Sequence, residues 1–361
     1  MRVAMDEQIF AIQPYGGISR LFTELARHFV NDVSHGVELQ PLSAPVVNRY
    51  VLDDADLASR LSIHPAKNQW TALAWYFSHL ERRKADVLHN TFYLPHGLAG
   101  ARGSKRVVTV YDMIPERMPD TRRRLDFLTL KKRYVERADH IICISQSTHD
   151  DLLDVYGQLN KPISVVPLGV DPRFNPAAER LSALPDKYVL FVGHRGQYKN
   201  ASLLLEAFSA LVSKYPELQL AYVGGGRFST AEQSLIEQFH LDGRVVQVDL
   251  SDQSMPGAYA HAAAFVFPSR FEGFGLPVLE AMACGAPTLL ARATSLPEVG
   301  GTAAAYFAPD DAEQLAHELD ATLSDSARAA KMRQDGLEWT KNFPWSRTAE
   351  RTADVYRQVL Q

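Results

Sequence analysis

Short, continuous apolar runs rich in β-branched residues alternate with helical patterns along nearly the whole 361-residue chain. A strand that is apolar on both faces has to be covered on both, and parallel strands need a long crossover, usually a helix. The alternation therefore predicts an α/β architecture with parallel sheets. In the first half the runs are RVAMD (2–6), DVLHNTF (86–92), RVVTVYD (106–112), HIICIS (140–145) and ISVVPLG (163–169). Between them, ISRLFTELARHFV (18–30) sets Ile18, Leu21, Phe22, Leu25 and Phe29 on one helical stripe.

The stretch PLGVDPRFNPAAERLSALPD (167–186) carries four prolines and can continue neither a helix nor a central strand. It is the candidate linker, over 169–186. The alternation then restarts with YVLFVG (188–193), LQLAYVGGG (218–226), RVVQVD (244–249), AFVFPS (264–269) and APTLLA (286–291). The expected organisation is a first domain over 1–168, a second over 187–342 and a tail over 343–361. Two consecutive doubly wound halves imply a cleft lined by the loops at the carboxyl ends of the strands, where open α/β sheets bind ligands.

Bulk properties narrow the function. A net charge of −4 and a pI near 6.3 argue against binding nucleic acid by bulk charge. The opening MRVAMDEQIF lacks the apolar core of a signal peptide, and no apolar run approaches the ~18 residues of a membrane span. A cytoplasmic protein is expected. Cys143 and Cys284 sit in apolar settings and read as buried free thiols.

The loop chemistry is densest in PSRFEGFGLPVLEAMACGAP (268–287). Pro277 suits the first turn of a helix and Gly285 its end. Gly273 and Gly275 let backbone N–H groups approach a ligand, and a helix N-terminus favours an anion such as phosphate. Glu280, one turn into the helix, is better placed to accept from a neutral diol such as a ribose, and Glu272 from hydroxyls of a second ring. Sugar, phosphate and sugar in series make a nucleotide sugar. On spacing alone another reading stands equally: Glu280 complements the helix dipole and Glu272 is solvated.

FVGHRGQYKN (191–200) places Arg195 and Lys199 after a strand, a pair suited to a pyrophosphate. In QPYGGISRL (13–21), Gly16 and Gly17 precede a helix, the same phosphate-approach chemistry in the other half. Neither they nor YVGGGRFS (222–229) has dinucleotide-fingerprint spacing, which disfavours a nicotinamide dehydrogenase. Asp112, where a strand runs out, either orients a sugar hydroxyl and stabilises positive charge at an anomeric carbon or caps the following turn. His89, Asn90 and His194 read as hydrogen-bonded loop residues, and no histidine has metal-ligand spacing. On a helix, Leu125, Leu128 and Tyr134 form an apolar stripe beside Arg122, Arg123, Arg124, Lys131, Lys132 and Arg133. That face suits anionic lipid headgroups, or is solvated and paired with Asp126 and Glu136.

Taken together, FPSRFEGFGLPVLEAMACGAP, SLPEVGGTAAAYFAPDD (295–311), VGHRGQYKN, YGGI and FPWSRTAERTADVYRQVL (343–360) resemble the retaining glycosyltransferases of family 4. These have the GT-B fold of two facing Rossmann-like domains. The variant around Arg195 and the YDMIPE stretch (111–116) are similar to bacterial polysaccharide mannosyltransferases. The resemblance implies that Glu280 binds the donor ribose and Glu272 the donor sugar. Backbone amides around Phe274, Gly275 and Leu276 would meet sugar or phosphate. Arg195 and Lys199 would neutralise the departing diphosphate, with Gly16 and Gly17 closing over it, and the final helix would cross back onto the first domain. Two departures stand out: Tyr111 occupies the place of a histidine common in the family, leaving Asp112 as substitute, and His194 occupies that of an arginine.

The implied reaction moves a hexose, mannose from GDP-mannose, to a hydroxyl of a growing, lipid-linked bacterial polysaccharide, with retained configuration and without a metal. The expected partners are a nucleotide sugar and a glycan acceptor, with peripheral inner-membrane contact through Arg122–Arg133 and no nucleic acid. A UDP-sugar donor, an epimerase or phosphorylase on the same architecture, and a non-catalytic carbohydrate-binding protein are the alternatives.

Overall fold

A computed structural model describes all residues except 43, 79–84, 99–102 and 119–124. The chain forms two compact units, Met1–Gly169 with Trp345–Gln361, and Val170–Pro344. In the first unit, strands β1 (Arg2–Met5), β2 (Glu38–Leu39), β3 (Val87–Asn90), β4 (Lys105–Val110), β5 (His140–Cys143) and β6 (Ile163–Val165) make a six-stranded parallel sheet. Its order is β2-β1-β3-β4-β5-β6. In the second unit, β7 (Tyr188–Val192), β8 (Gln219–Val223), β9 (Val245–Val248), β10 (Ala264–Phe267), β11 (Thr288–Ala291) and β12 (Ala305–Phe307) make another, ordered β12-β11-β10-β7-β8-β9.

All ten apolar runs are strands, as the alternation predicts, though each is shorter than its run. The overhang lies mostly at the carboxyl ends, where the chain peels into loops. Past β3, for example, the Thr91 N–H donates to Asp6 Oδ1 at 2.8 Å instead of continuing the ladder. β2 and β12 were not anticipated; they are short edge strands with too few residues to form a recognisable run.

The helix Gly17–Asn31 buries Leu21, Phe22, Leu25 and Phe29 on the predicted stripe, each worth about 1.5–3 kcal/mol when fully buried. The terminal helix Trp345–Val359 packs beside it within the first unit. Its inward face repeats at helical spacing through Thr348, Ala349, Thr352 and Ala353, small residues that admit close approach, and ends on the buried Tyr356. Tyr356 is hydrogen-bonded to His89 Nδ1 at 2.7 Å, and His89 Nε2 to Thr109 Oγ1 at 2.8 Å. Burial pushes the His89 imidazole down to about 3, so it is a neutral pin between helix and sheet.

Of the stretch 169–186, read above as a linker, residues 170–186 pack with the second unit. Val170 N–H donates to Phe343 O at 2.9 Å, Arg173 pairs with Asp252 at 2.5 Å, and Phe174 is buried edge-on against Tyr259. The prolines forbid regular structure there without forbidding burial. Cys143 and Cys284 are free and buried, and burial raises each thiol to about 12. Among the described residues, no helix is long and apolar enough to cross a membrane.

Candidate active site

In the second sheet, β7-β8-β9 run outward one way and β10-β11-β12 the other, so the strand order reverses between the neighbours β7 and β10. Loops leaving the carboxyl ends of such a pair diverge and open a crevice. Lys199 follows β7 and Glu272 follows β10, and the two meet: Lys199 Nζ donates to Glu272 Oε1 at 2.6 Å. Their side chains are only 15% and 10% exposed, so little water screens the pair. Removing either partner would leave an uncompensated, nearly buried charge, which costs about 3–5 kcal/mol for a fully buried pair.

Local structure fixes both groups. Lys199 ends a single tight turn, its N–H bonded to Gly196 O at 2.9 Å. The loop after β11 holds the loop after β10. Thr294 Oγ1 accepts from the Glu272 N–H at 2.9 Å, and Ser295 Oγ bonds Glu272 O at 3.0 Å and Phe274 O at 2.9 Å. Thr294 and Ser295 were not singled out from the sequence, where the only signal was the SLPE motif that begins at Ser295.

The helix Leu276–Ala283 opens at Gly275, whose φ of +106° no L side chain adopts easily. A Cβ there would also stand 3.2 Å from Leu296 Cδ2. With glycine as its cap the helix start carries no side-chain oxygen, and Pro277 falls in the first turn as expected. Gly285, at φ +74°, follows the last turn, where Gly285 N–H bonds Met282 O and Ala286 N–H bonds Ala281 O, both at 2.9 Å. The Phe274 ring is buried edge-on against Phe343, so a ligand at this loop would meet its backbone. Glu280 is half-buried, and Tyr259 OH donates to its Oε2 at 2.9 Å. Burial first, and the Glu280 carboxylate second, hold the Tyr259 phenol protonated far above its ordinary range. Tyr259 also escaped notice in the sequence.

Arg195 does not join Lys199. Its Nε donates to Glu232 at 2.5 Å and its terminal nitrogens to Gly224 O, Gly226 O and Arg227 O at 2.8, 2.8 and 3.1 Å. The side chain is 5% exposed and lies 4.8 Å from the Phe228 ring. It supports the loop after β8, whose three glycines all have positive φ and which turns the carbonyls of Gly224, Gly226 and Arg227 toward it. Arg195 thus stands with Glu232 and the loop after β8, apart from the Lys199–Glu272 pair. His194 beside it is exposed.

In the first unit, Asp112 Oδ1 accepts from the Ile114 N–H at 3.0 Å, the capping arrangement. Gly16 and Gly17 start the helix Gly17–Asn31, but Gln13 folds over that start, its Oε1 accepting from the Ser19 N–H at 3.0 Å. A Cβ at Gly16 would meet the end of the Gln13 side chain. Of the basic face, Lys131 and the apolar Tyr134 turn inward. Lys131 is buried with Tyr134 and Val135, and its Nζ bonds the Glu116 carboxylate at 3.0 Å and Asp112 O at 2.6 Å. Spacing of three and four residues on the helix Leu125–Arg137 turns these three inward together. Lys132 and Arg133 are exposed, while Arg122, Arg123 and Arg124 lie outside the described residues. No group of three or more His, Cys, Asp or Glu side chains among the described residues is placed to hold a metal ion.

Comparison with known proteins places the chain in a family. Residues 176–339 match the family Glycosyl transferases group 1, and residues 15–174 match Glycosyltransferase Family 4. The chain belongs to the family 4 glycosyltransferases of GT-B fold and is an enzyme of that class. It is 29% identical over 310 residues to O-antigen chain mannosyltransferase B of Escherichia coli, covering 82% of this chain and 78% of that one. It is also 31% identical over 276 residues to the serotype-specific mannosyltransferase WbdA of the same organism, covering 71% of this chain but 34% of that protein. Among solved structures, sucrose-phosphate synthase from Thermosynechococcus elongatus superposes with a TM-score of 0.75 at 20% identity, over 99% of this chain and 98% of that one.

Proposed function

We propose that the protein is a retaining mannosyltransferase that takes mannose from GDP-mannose and adds it to a hydroxyl of a growing, lipid-linked bacterial polysaccharide on the cytoplasmic side of the membrane. The observation that carries this reading is the Lys199–Glu272 pair at the strand-order reversal, with Glu280 on the adjoining helix. The mannosyltransferase relatives favour mannose as the sugar. In this reading Glu280, oriented by Tyr259, takes the ribose hydroxyls, and Glu272 takes hydroxyls of the donor sugar. Lys199 and the N–H groups from Gly275 into the helix start meet the diphosphate.

In the transfer, the acceptor oxygen bonds to C1 as the C1–O bond to the β-phosphate breaks. Its proton passes to the departing phosphate oxygen on the same face, so configuration is kept. Charge separates at an oxocarbenium-like centre, and Lys199 offsets the negative part. With that positive charge supplied by the protein, the reaction needs no divalent metal. Incubating the protein with GDP-mannose, a mannose-bearing acceptor and EDTA should give an α-linked product, read by NMR of the anomeric proton. Lys199→Ala should lower turnover by ~100-fold or more. Turnover only from UDP-sugars, a β-linked product, or Lys199→Ala within a few-fold of wild type would overturn the reading.

A further inference from the structure

Three residues beside the Lys199–Glu272 pair hold left-handed backbone although none is glycine: Asn200 at φ +53°, Thr294 at φ +44° and Asp310 at φ +67°. Asparagine and aspartate tolerate this region better than other side chains, yet glycine is its least strained occupant. A carboxylate kept where glycine would fit better points to work done by the side chain. The bonds show what that is. Asp310 Oδ1 accepts from Asn200 Nδ2 at 2.9 Å and from Arg270 Nε at 2.6 Å. Arg270 also donates its backbone N–H to Tyr198 O at 2.8 Å. Asn200 is buried, adjoins Lys199 and caps the helix Ala201–Ser209, while Arg270 stands two residues before Glu272. One carboxylate from the loop after β12 thus ties the segment bearing Lys199 to the segment bearing Glu272.

We propose that Asp310, with Asn200 and Arg270, forms a positioning clamp that sets the separation and aim of Lys199 and Glu272 toward the donor. The proposal rests on the assignment of those two residues to the donor. The Arg270–Asp310 pair itself is about half exposed, so its direct contribution to stability is small. Its effect falls on geometry, where a displacement of an ångström can lower a rate by up to ~100-fold.

The test uses the full-length protein with Asp310→Gly and Asp310→Asn beside Lys199→Ala. Glycine removes the carboxylate and the backbone strain together, so Asp310→Gly should melt at or above the wild-type temperature while kcat falls ~10-fold or more. Asparagine keeps an acceptor oxygen and tolerates the backbone, and should recover most of that kcat. If Asp310→Gly keeps kcat within 2-fold while Lys199→Ala is inactive, the clamp is wrong and the donor assignment stands. If Asp310→Gly loses activity only in step with a lower melting temperature, the residue is merely structural. If Lys199→Ala is itself active, the donor assignment fails first.

Discussion

Glu280 is held by a phenol that cannot ionise at working pH, so Tyr259 can only donate to it. Tyr259→Phe removes that donor with the ring still packed between Phe174 and Phe265. Calorimetry should show nucleotide affinity lowered about 3- to 10-fold with little change in melting, consistent with one hydrogen bond to a charged group; unchanged affinity would remove Tyr259 from the site. The two glutamates and Lys199 were legible in the sequence because their loops carry their own signals: glycine, a helix-starting proline, and position after an apolar run. Their supports were not. Tyr259 lies 21 residues before Glu280, and Thr294 lies 22 after Glu272, spacings set by sheet order rather than local pattern. The surroundings of Arg195 were hidden for the same reason, since Glu232 and the glycine carbonyls that hold it come from the segment after the next strand.

At the scale of elements, the strand alternation carried nearly the whole architecture, and the edge strands β2 and β12 escaped only because two or three residues make no pattern. The terminal helix is fastened partly by His89, whose imidazole is held neutral by burial. Its folded value of about 3 lies below the usual 6.5, so between those limits the unfolded chain binds a proton that the folded chain does not. The stability this neutral pin supports is therefore intact above pH 6.5 and is lost as pH falls toward 3. His89→Gln should flatten the decline of first-unit stability over that window by up to about 1.4 kcal/mol per pH unit. Denaturant titrations at pH 4, 5, 6 and 7 measure it, and identical slopes in variant and wild type would count against the neutral pin. The helix Leu125–Arg137 shows the limit of reading a face from charge, because a lysine with a buried carboxylate partner reads like any surface lysine.

Over the whole molecule, the second unit is an excursion between Gly169 and Trp345, and these crossing points adjoin. A Cβ on Gly169 would stand 2.5 Å from Trp345 N, and Val170 bridges to Pro344. Deleting residues 345–361 should lower the melting transition of the first unit, by uncovering Phe29 and His89, while leaving that of the second unit in place. Scanning calorimetry would show the two transitions separate, and a shared downward shift would mean that the units unfold as one. The central claim concerns the second unit's donor site, and the most direct test is calorimetric titration of GDP, UDP and ADP, with EDTA present, into wild type and Glu280→Ala. GDP should bind most tightly without metal and weaken ~10-fold or more in the variant. No nucleotide binding, or GDP binding that Glu280→Ala leaves untouched, would contradict the account.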